Sequence, residues 1–548
     1  MAREFSPARE TGAPEKPSLI APRSFSRSKK QSLAPRAPET PPDALSPPLP
    51  FGTAMASYDD VMSLSVRRGF LWPAVDMYGG FAGFYDYGHN GVLLRRRWED
   101  LWIETFLGLS DNYHLIDTTT ILPEAALKAS GHVDHFTDIL VTCTRCAESH
   151  RGDHLLEAAT HEEHEGLTPE EIDGKIRELK IRCPKCKGEL GPACAFNMMF
   201  PLGVGPTGKD RAYLRPETAQ GVYLNFKKEF EALRRKLPMG LAIVGRAYRN
   251  EISPRQGTYR MREFLQAELQ IFFDPATFAD AVPIDAVASV PLRIAWAAEK
   301  KEPTAHDTLA KDLVDRGLPS WYVFHLVQVQ RFYLDLLRVP RDAFRFAELD
   351  EKERAFYNKI HFDVQVKQES LGGFKEVGGV HYRTDHDLKG HESVSHAKQS
   401  VTFGASKLVP HVLELSFGVD RNVWALLDLT YGQGERIVLH LPPRLAPISV
   451  AVFPLVNKDG LPEKAESMYA SLRKRLTAFY DDSGSIGRRY ARMDEIGTPF
   501  SVTVDHETFE GKGVTVRERD SQKQIRVTEA DLPDTLARLV SGEASFVA

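Results

Sequence analysis

The segment RNEISPRQGTYRMREFLQAELQIF (249–272) sets Arg249, Glu251, Arg255, Arg260, Arg262, Glu263 and Glu268 around a Ser-Pro and a Gly. With GLAIVGRAY (240–248) before it, the stretch reads as two strands folded back on each other. Side chains alternate faces along a strand, so residues of equal parity share a side. The even set of the second strand is Arg260, Arg262, Phe264, Gln266, Glu268 and Gln270. The odd set, Met261, Glu263, Leu265, Ala267, Leu269 and Ile271, is nearly all apolar. One face enters a core; the other carries cations, a ring and a carboxylate. Solvated ion pairs on a half-exposed sheet are the ordinary explanation of such a face. Phe264 amid the charges argues against it, as does the polar row of Gln266 and Glu268 deep in a core-like strand. Arg249 and Arg262 offer planar forks suited to phosphate. An aromatic between them suits a base, on which stacking contributes roughly 1–3 kcal/mol.

HVLELSFGVDR (411–421) follows the same logic. Glu414, Ser416 and Gly418 share one face, and Leu413, Leu415 and Phe417 the other. Gly418 turns the chain into a helix whose first turn holds Asp420 and Arg421. The Asp is a routine partner of a helix N-terminus; the Arg has the wrong sign there and answers to an anion outside the helix.

A chain of 548 residues exceeds one core, and about two to four domains are expected. The net charge of −5 excludes a protein basic all over but leaves room for local RNA-binding patches. No apolar run approaches the roughly 20 residues that cross a bilayer, and the N-terminus lacks a secretory apolar core. A cytoplasmic protein with no membrane and no DNA partner is expected. Residues 1–54, with 11 prolines in the first 50, read as a disordered extension.

Helical periodicity is clear in GVLLRRRWEDLWIETFL (91–107) and SWYVFHLVQVQRFYLDLLRV (320–339). YHLIDTTTIL (113–122) is strand-like and stopped by Pro123, and AYLRPETAQGVYLNF (212–226) mixes strand and turn. The parsing is a body over 55–440 with insertions at 141–195 and 275–345, the second mostly helical. A domain over 445–548 follows, in which EKAESMYASLRKRLTAFY (463–480) is a helix and strands alternate with helices, as in a partly parallel α/β sheet. Four of the five cysteines form CTRC (Cys143, Cys146) and CPKC (Cys183, Cys186), separated by 36 residues. Such paired knuckles suit a structural tetrahedral zinc, the alternative being a metal-free relic of a ribbon.

Taken together, these signatures resemble a class II aminoacyl-tRNA synthetase. The family's three motifs correspond to the helix and strand of 91–123, the Arg-x-Glu hairpin (249–251) with Phe264, and GVDR (418–421). GGFAGFYDYG, ASGHVDHF, LRPETAQG, RNEISPRQG, YRTDHDL and ELSFGVDR closely resemble the dimeric (α2) glycyl-tRNA synthetase family, over about 60 to 548 apart from parts of the insertions. The resemblance implies an α+β fold: a class II antiparallel sheet flanked by helices, a C-terminal α/β anticodon-binding domain and a small Cys-containing insertion. It implies a homodimer acting on glycine, ATP and tRNA(Gly), with Mg²⁺ and a candidate structural Zn²⁺.

By the same resemblance, Arg249 and Glu251 hold the α-phosphate and adenine of ATP while Phe264 stacks on the base. Asn250, Tyr259, Arg260, Met261, Arg262 and Glu263 complete the hairpin's share. Across from it lie Gly418, Val419, Asp420 and Arg421, the last closing over adenine and the γ-phosphate. Glu376 and Val377 fall where the family places a carboxylate for ATP and magnesium, although Phe374, Lys375 and Val377 replace its commoner Trp and Leu. Arg249 and Arg421 are the expected catalytic residues, neutralising charge in the transition state.

Glycine offers no side chain, so a site can hold only its ammonium and carboxylate and exclude anything larger on Cα. Glu217, Glu268, Glu414 and Ser416 lie on the ligand-facing runs as acceptors for the ammonium. Three crowded carboxylates are costly without a cation. Leu265, Gln266, Ala267, Leu415, Phe417 and Gly418 complete the expected glycine pocket, and the resemblance adds Phe264 and Arg151. Arg488, Arg489, Arg492, Arg517 and Arg519 are candidates for RNA contact, each read singly as a surface charge. The insertion at 275–345 either braces the acceptor stem or packs on the catalytic body. The rival readings are a synthetase of the Ser, Pro or Thr type, and a non-catalytic relative that binds nucleic acid; such relatives lose the ATP arginines.

Overall fold

The computed structural model describes residues 56–162, 164, 166–254, 256–278, 284–299, 304–351, 353–355 and 357–547. The expected N-terminal extension (1–54) and Arg255 lie outside them. Helix α1 (His89–Leu107) buries Leu94, Trp98, Leu101, Trp102 and Phe106 at helical spacing. Beyond it, the single strand expected over 113–122 is two short ones, β1 (Tyr113–Leu115) and β2 (Ile121–Pro123). The threonines between them bond locally: Thr119 Oγ1 donates to the Ile121 carbonyl at 2.7 Å. Strands β3 (Thr137–Thr142), β4 (Ser149–Arg151) and β5 (Cys194–Asn197) form a ribbon of their own in the order β4-β3-β5. The insertion therefore begins at 137, a few residues before the expected 141.

Of the strand and turn expected over 212–226, a strand ends at Leu214 and a turn follows, but helix α2 (Ala219–Ala232) takes the rest. Val222, Tyr223, Phe226 and Phe230 lie on one buried face, and Phe226 stacks on Phe272 at 4.3 Å. The helical period completes only at Phe230, past the stretch in which a strand was read. Strands β6 (Met239–Tyr248) and β7 (Glu263–Phe273) then pair antiparallel, from Met239 opposite Phe272 to Tyr248 opposite Glu263. They are followed by β8 (Pro291–Ala295), β9 (His306–Leu309), helix α3 (Ser320–Arg331), β10 (Phe344–Glu348), β11 (Ile360–Gln368), β12 (Gly373–Thr384), β13 (His411–Gly418) and helix α4 (Val419–Thr430).

Nine described strands form one sheet in the order β9-β8-β10-β11-β12-β13-β7-β6-β1. It is antiparallel from β10 to β6, while β8 runs parallel to β10 and β1 parallel to β6. The segment expected as a mostly helical insertion, 275–345, does carry helix α3, but β8 and β9 within it extend the main sheet. Helix α3 lies under it with Tyr322, Val323, Leu326 and Val327 fully buried, and Tyr322 Oη donates to the Val380 carbonyl at 2.7 Å. The segment thus packs on the body of the chain. The strand signal in PLRIA (291–295) is only the alternation of Leu292 and Ile294, too short to outweigh the neighbouring helical period.

The C-terminal part comprises β14 (Val450–Pro454), helix α5 (Leu461–Leu472), β15 (Ala478–Tyr480), helix α6 (Ile486–Ile496), β16 (Phe500–Val504), β17 (Val514–Glu518), β18 (Gln524–Val527) and helix α7 (Leu532–Ser541). The helix read over 463–480 ends at Leu472, and AFY (478–480) forms the edge strand. The sheet runs β15-β14-β16-β17-β18, parallel in its first three strands and antiparallel in the rest, over a core of Val450, Val452, Val502, Val516 and Leu536.

The apolar side of the large sheet centres on Phe417, whose ring lies 5.2 Å from Phe106, 5.9 Å from Trp102 and 6.4 Å from Trp98. Phe417→Ala should lower the free energy of unfolding by about 3–5 kcal/mol through the cavity it leaves, measured by denaturant titration.

Candidate active site

The polar face of β7, β12 and β13 forms the floor of a cleft of about 220 Å³. The alternation read from the sequence places its residues: Phe264, Gln266 and Glu268 line the cleft, while Ala267, Leu269 and Ile271 enter the core. Pairing of β7 with β13 sets Glu268 opposite Ser416 and Gln270 opposite Glu414. Ala267, Leu415 and Phe417, expected at the glycine site, point into the core on the other side of the sheet.

At one end of the cleft the Arg249 guanidinium lies 5.2 Å from the centre of the Phe264 ring and 5.4 Å from that of Phe136, and its Nε donates to the Pro216 carbonyl at 3.2 Å. Opposite, Arg421 pairs with the Glu376 carboxylate at 3.0 Å and sits over the Tyr259 ring at 4.5 Å. Glu376 is thus an anion that the arginine at the start of α4 answers. Glu251 lines the cleft, and its buried Oε2 accepts no hydrogen bond among the described residues. Tyr259, Arg260, Met261, Leu265 and Gly418 also line it.

Several expected contacts lie elsewhere. Arg262 does not pair with Arg249 as a second fork: its Nε and Nη2 donate to the Glu251 carbonyl (3.1 and 2.9 Å) and its Nη1 to that of Ala82 (2.9 Å). Glu263 pairs with Arg246 outside the cleft, and the Asn250 N–H donates to the Met198 carbonyl at 2.7 Å. Val377 and Val419 are buried in the core. Asp420 accepts from the Leu265 N–H at 2.6 Å and from Tyr87 Oη, so its carboxylate ties α4 to β7. Arg151 lies between Asp138 (3.1 Å) and Asp153, outside the cleft lining.

At the other end four carboxylates, Glu217, Glu268, Glu414 and Asp387, are buried with one guanidinium, Arg383. Arg383 grips Asp387 through two nitrogens (2.9 and 3.0 Å), reaches Glu414 at 2.9 Å and lies 3.8 Å from Glu217. Gln220 bridges Glu217 (2.8 Å) and Asp387 (2.9 Å), and Gln270 donates to Glu414 at 2.8 Å. The cation that the crowded acids require is therefore partly supplied by the protein. Sequence reasoning missed Arg383, although YRTDHDL carries the signal: Arg383 and Asp387 stand four residues apart where β12 gives way to a helix.

The acids are not equivalent. Burial, with Glu414 and Glu217 nearby, pushes the Glu268 carboxyl up to about 8, against hydrogen bonds from Thr218 Oγ1 (2.6 Å) and Ser416 Oγ (3.0 Å). Burial also acts upward on Glu217, but His132 and Arg383 hold its carboxyl well below the usual range. Burial raises Glu414 despite Arg383.

On the ribbon, Cys143, Cys146, Cys183 and Cys186 bring their sulfurs within 4.8 Å of one another. Four converging thiols are the donor set of a structural zinc site. Cys194 lies exposed on β5, outside the group. The arginines weighed for RNA contact are mostly internal. Arg489, Arg517 and Arg519 are buried, Arg489 on the carbonyls of Asp482 (2.6 Å) and Gly484 (2.8 Å), and Arg517 on Asp494 (3.3 Å). Arg492 pairs with Asp481, and Arg488 is exposed.

The family described as "tRNA synthetase class II core domain (G, H, P, S and T)" matches residues 204–289, and "Anticodon binding domain" matches 449–539. The fold is similar to that of prolyl-tRNA synthetase from Cryptosporidium parvum, solved with halofuginone and AMPPNP. The TM-score is 0.55 at 12% identity, over 90% of this chain and 78% of that one. Sheet, cleft and C-terminal domain define a class II aminoacyl-tRNA synthetase. The glycine–tRNA ligase of Methanocaldococcus jannaschii is 35% identical over 87% of this chain and 98% of its own length. That of Pyrococcus abyssi is 36% identical over 90% and 100%. The chain belongs to the glycine–tRNA ligases, which sets aside the serine, proline and threonine alternatives and the non-catalytic one.

Two outcomes follow from the acid cluster. Arg383→Met leaves Asp387 and Glu414 buried without their cation and should destabilise the fold by about 3–5 kcal/mol in denaturant titration. The folded state keeps a proton on Glu268 that the unfolded chain, with an ordinary value of 4.5, releases. Stability should therefore fall as pH rises from 4.5 to about 8 and level off above, and Glu268→Gln should flatten that slope when unfolding is followed across the window.

Proposed function

We propose that ATP binds at the Arg249–Arg421 end of the cleft and glycine at the Glu217–Glu268–Glu414–Ser416 end. The glycine carboxylate then attacks the α-phosphorus in line, giving glycyl-adenylate and pyrophosphate. The terminal hydroxyl of tRNA(Gly) next attacks the mixed anhydride, with AMP leaving. The observation that carries this reading is one cleft with guanidinium groups and a half-buried ring at one end and a buried surplus of carboxylates at the other.

Phe264 offers a face to the base, and Glu251 Oε2 an acceptor to its amino group. Arg249 and Arg421 neutralise charge that builds on the transferring phosphoryl group. Glu376, exposed on the cleft beside Arg421, is suited to hold Mg²⁺ with the phosphate oxygens, where the ion supplies further neutralisation. The ammonium of glycine meets Glu217, Glu268 and Glu414, and adds the positive charge that Arg383 alone leaves short. Because Arg383, Gln220 and Gln270 are pinned by hydrogen bonds, the pocket cannot widen cheaply around a methyl group. Selection for glycine is then steric and needs no editing site.

Cys143, Cys146, Cys183 and Cys186 hold a structural Zn²⁺ that takes no part in the chemistry. Residues 55–440 act as the catalytic domain and 445–548 bind the anticodon arm, a division supported by the family match at 449–539. The enzyme works as a cytoplasmic homodimer; among the described residues no helix is long and apolar enough to cross a membrane. Trp98 and Trp102 do not form the dimer surface, since both are buried in their own chain; the loop with Met77 at 87% and Tyr78 at 83% exposure is the better candidate.

ATP–pyrophosphate exchange with a panel of amino acids tests the proposal. Glycine alone should support it, and Arg249→Ala should lower it by roughly 100-fold or more with the circular-dichroism spectrum unchanged. Exchange driven by serine or alanine, or wild-type rates in Arg249→Ala, would refute it.

A further inference from the structure

The ribbon of β3, β4 and β5 joins the four thiols to the loop between β6 and β7, which carries the ATP-end residues. Strand β3 connects them directly: Phe136, against which Arg249 lies, precedes it, and Cys143 follows it. Strand β4 does so residue by residue. The Ser149 carbonyl accepts from Ser253 Oγ of the loop at 3.5 Å, His150 Nε2 lies 3.5 Å from Cys183 Sγ, and Arg151 holds Asp138 of β3 at 3.1 Å. In the helix after β4, His154 Nε2 is 3.3 Å from Arg260 Nη1. After β5, the Met198 N–H donates to the Phe136 carbonyl (3.1 Å), and the Met198 carbonyl accepts from the Asn250 N–H (2.7 Å). The loop is thus grasped at its start, middle and end from one side. The ribbon has a small core of its own, Val141, Leu155, Leu156, Ile172 and Ile176. A core of that size does not hold two knuckles and three short strands in register without a metal or a further staple.

We propose that the thiol-bound metal acts through this ribbon as a positioning device for the ATP loop, with His154 and Ser253 as positioning residues that transmit its order to Arg260 and Asn250. The metal part of this proposal rests on the zinc reading above; the grasp of the loop does not. The glycine pocket is built on β7, β12, β13 and the turn before α2, and meets the ribbon through Asn197 of β5, whose amide donates to the His132 carbonyl behind Glu217, so metal loss is read chiefly at ATP.

The test uses the full chain, loaded with zinc or stripped by a chelator, with zinc content assayed and ATP and glycine affinities measured separately by calorimetry. Stripping should weaken ATP binding about ten-fold, the loss expected when charge-assisted contacts are loosened, and leave glycine binding within about two-fold. Amide exchange should quicken in peptides covering Ser253 and Tyr259. His154→Ala with full zinc content should raise the KM for ATP about three-fold at unchanged kcat, the effect of one partly exposed hydrogen bond. A zinc-loaded chain whose ATP affinity and loop exchange survive stripping, or a His154→Ala/Ser253→Ala chain with wild-type ATP affinity, overturns this inference alone. A chain that takes up no zinc overturns the metal reading, and with it the metal's part here.

Discussion

Arg383 is the contact on which the rest of the site depends. One buried guanidinium holds Asp387 with two nitrogens and Glu414 with a third, beside Glu217. Desolvating four carboxylates around a single cation is tolerable only if each is hydrogen-bonded, and Gln220, Gln270, Thr218 and Ser416 meet that need. The arrangement remains short of positive charge, and the proposed binding of the glycine ammonium there rests on that shortage. Glu268, held by the Thr218 and Ser416 hydroxyls, shows the shortage most clearly: burial, with Glu414 and Glu217 nearby, pushes its carboxyl up to about 8.

The cluster exists because of the sheet. Glu268 and Glu414 are 146 residues apart in sequence and meet only through the pairing of β7 with β13. A slip of one residue in that pairing would turn Phe417 into the cleft and Glu414 into the aromatic core. Phe417 among Trp98, Trp102 and Phe106 therefore does more than add stability: its burial fixes the register that aligns the acids. Asp420 performs a similar service at the other end of the cleft by joining the start of α4 to β7, which aims Arg421 across it.

Several of the arginines that the sequence singles out are structural. Arg262, Arg489, Arg517 and Arg519 carry features that suggested ligand or RNA contact, yet each satisfies carbonyls or carboxylates of its own chain. A guanidinium carries five donors in a plane, so a buried carbonyl cluster recruits it as readily as a phosphate does. Sequence alone does not separate the two uses, because the carbonyls that decide between them come from distant segments.

Local periodicity was enough to determine the strand parity that sends Phe264 and Glu268 to one face and Leu269 to the other. It likewise determined the helix-strand joint at Gly418 and the alternation of strands and helices after 447. These follow from backbone geometry that extends over a few residues, with period 2 in strands and 3.6 in helices. The tertiary structure decided which charges remain available to a ligand: it engaged Arg262 with the Glu251 carbonyl, set Arg383 among the acids and buried Glu251 Oε2 without a hydrogen bond among the described residues. It also drew two strands of a segment that read as a helical insertion into the main sheet, beside the helix that segment does form. Those outcomes depend on pairing and burial between residues tens to hundreds of positions apart, and no pattern within a short window contains that information.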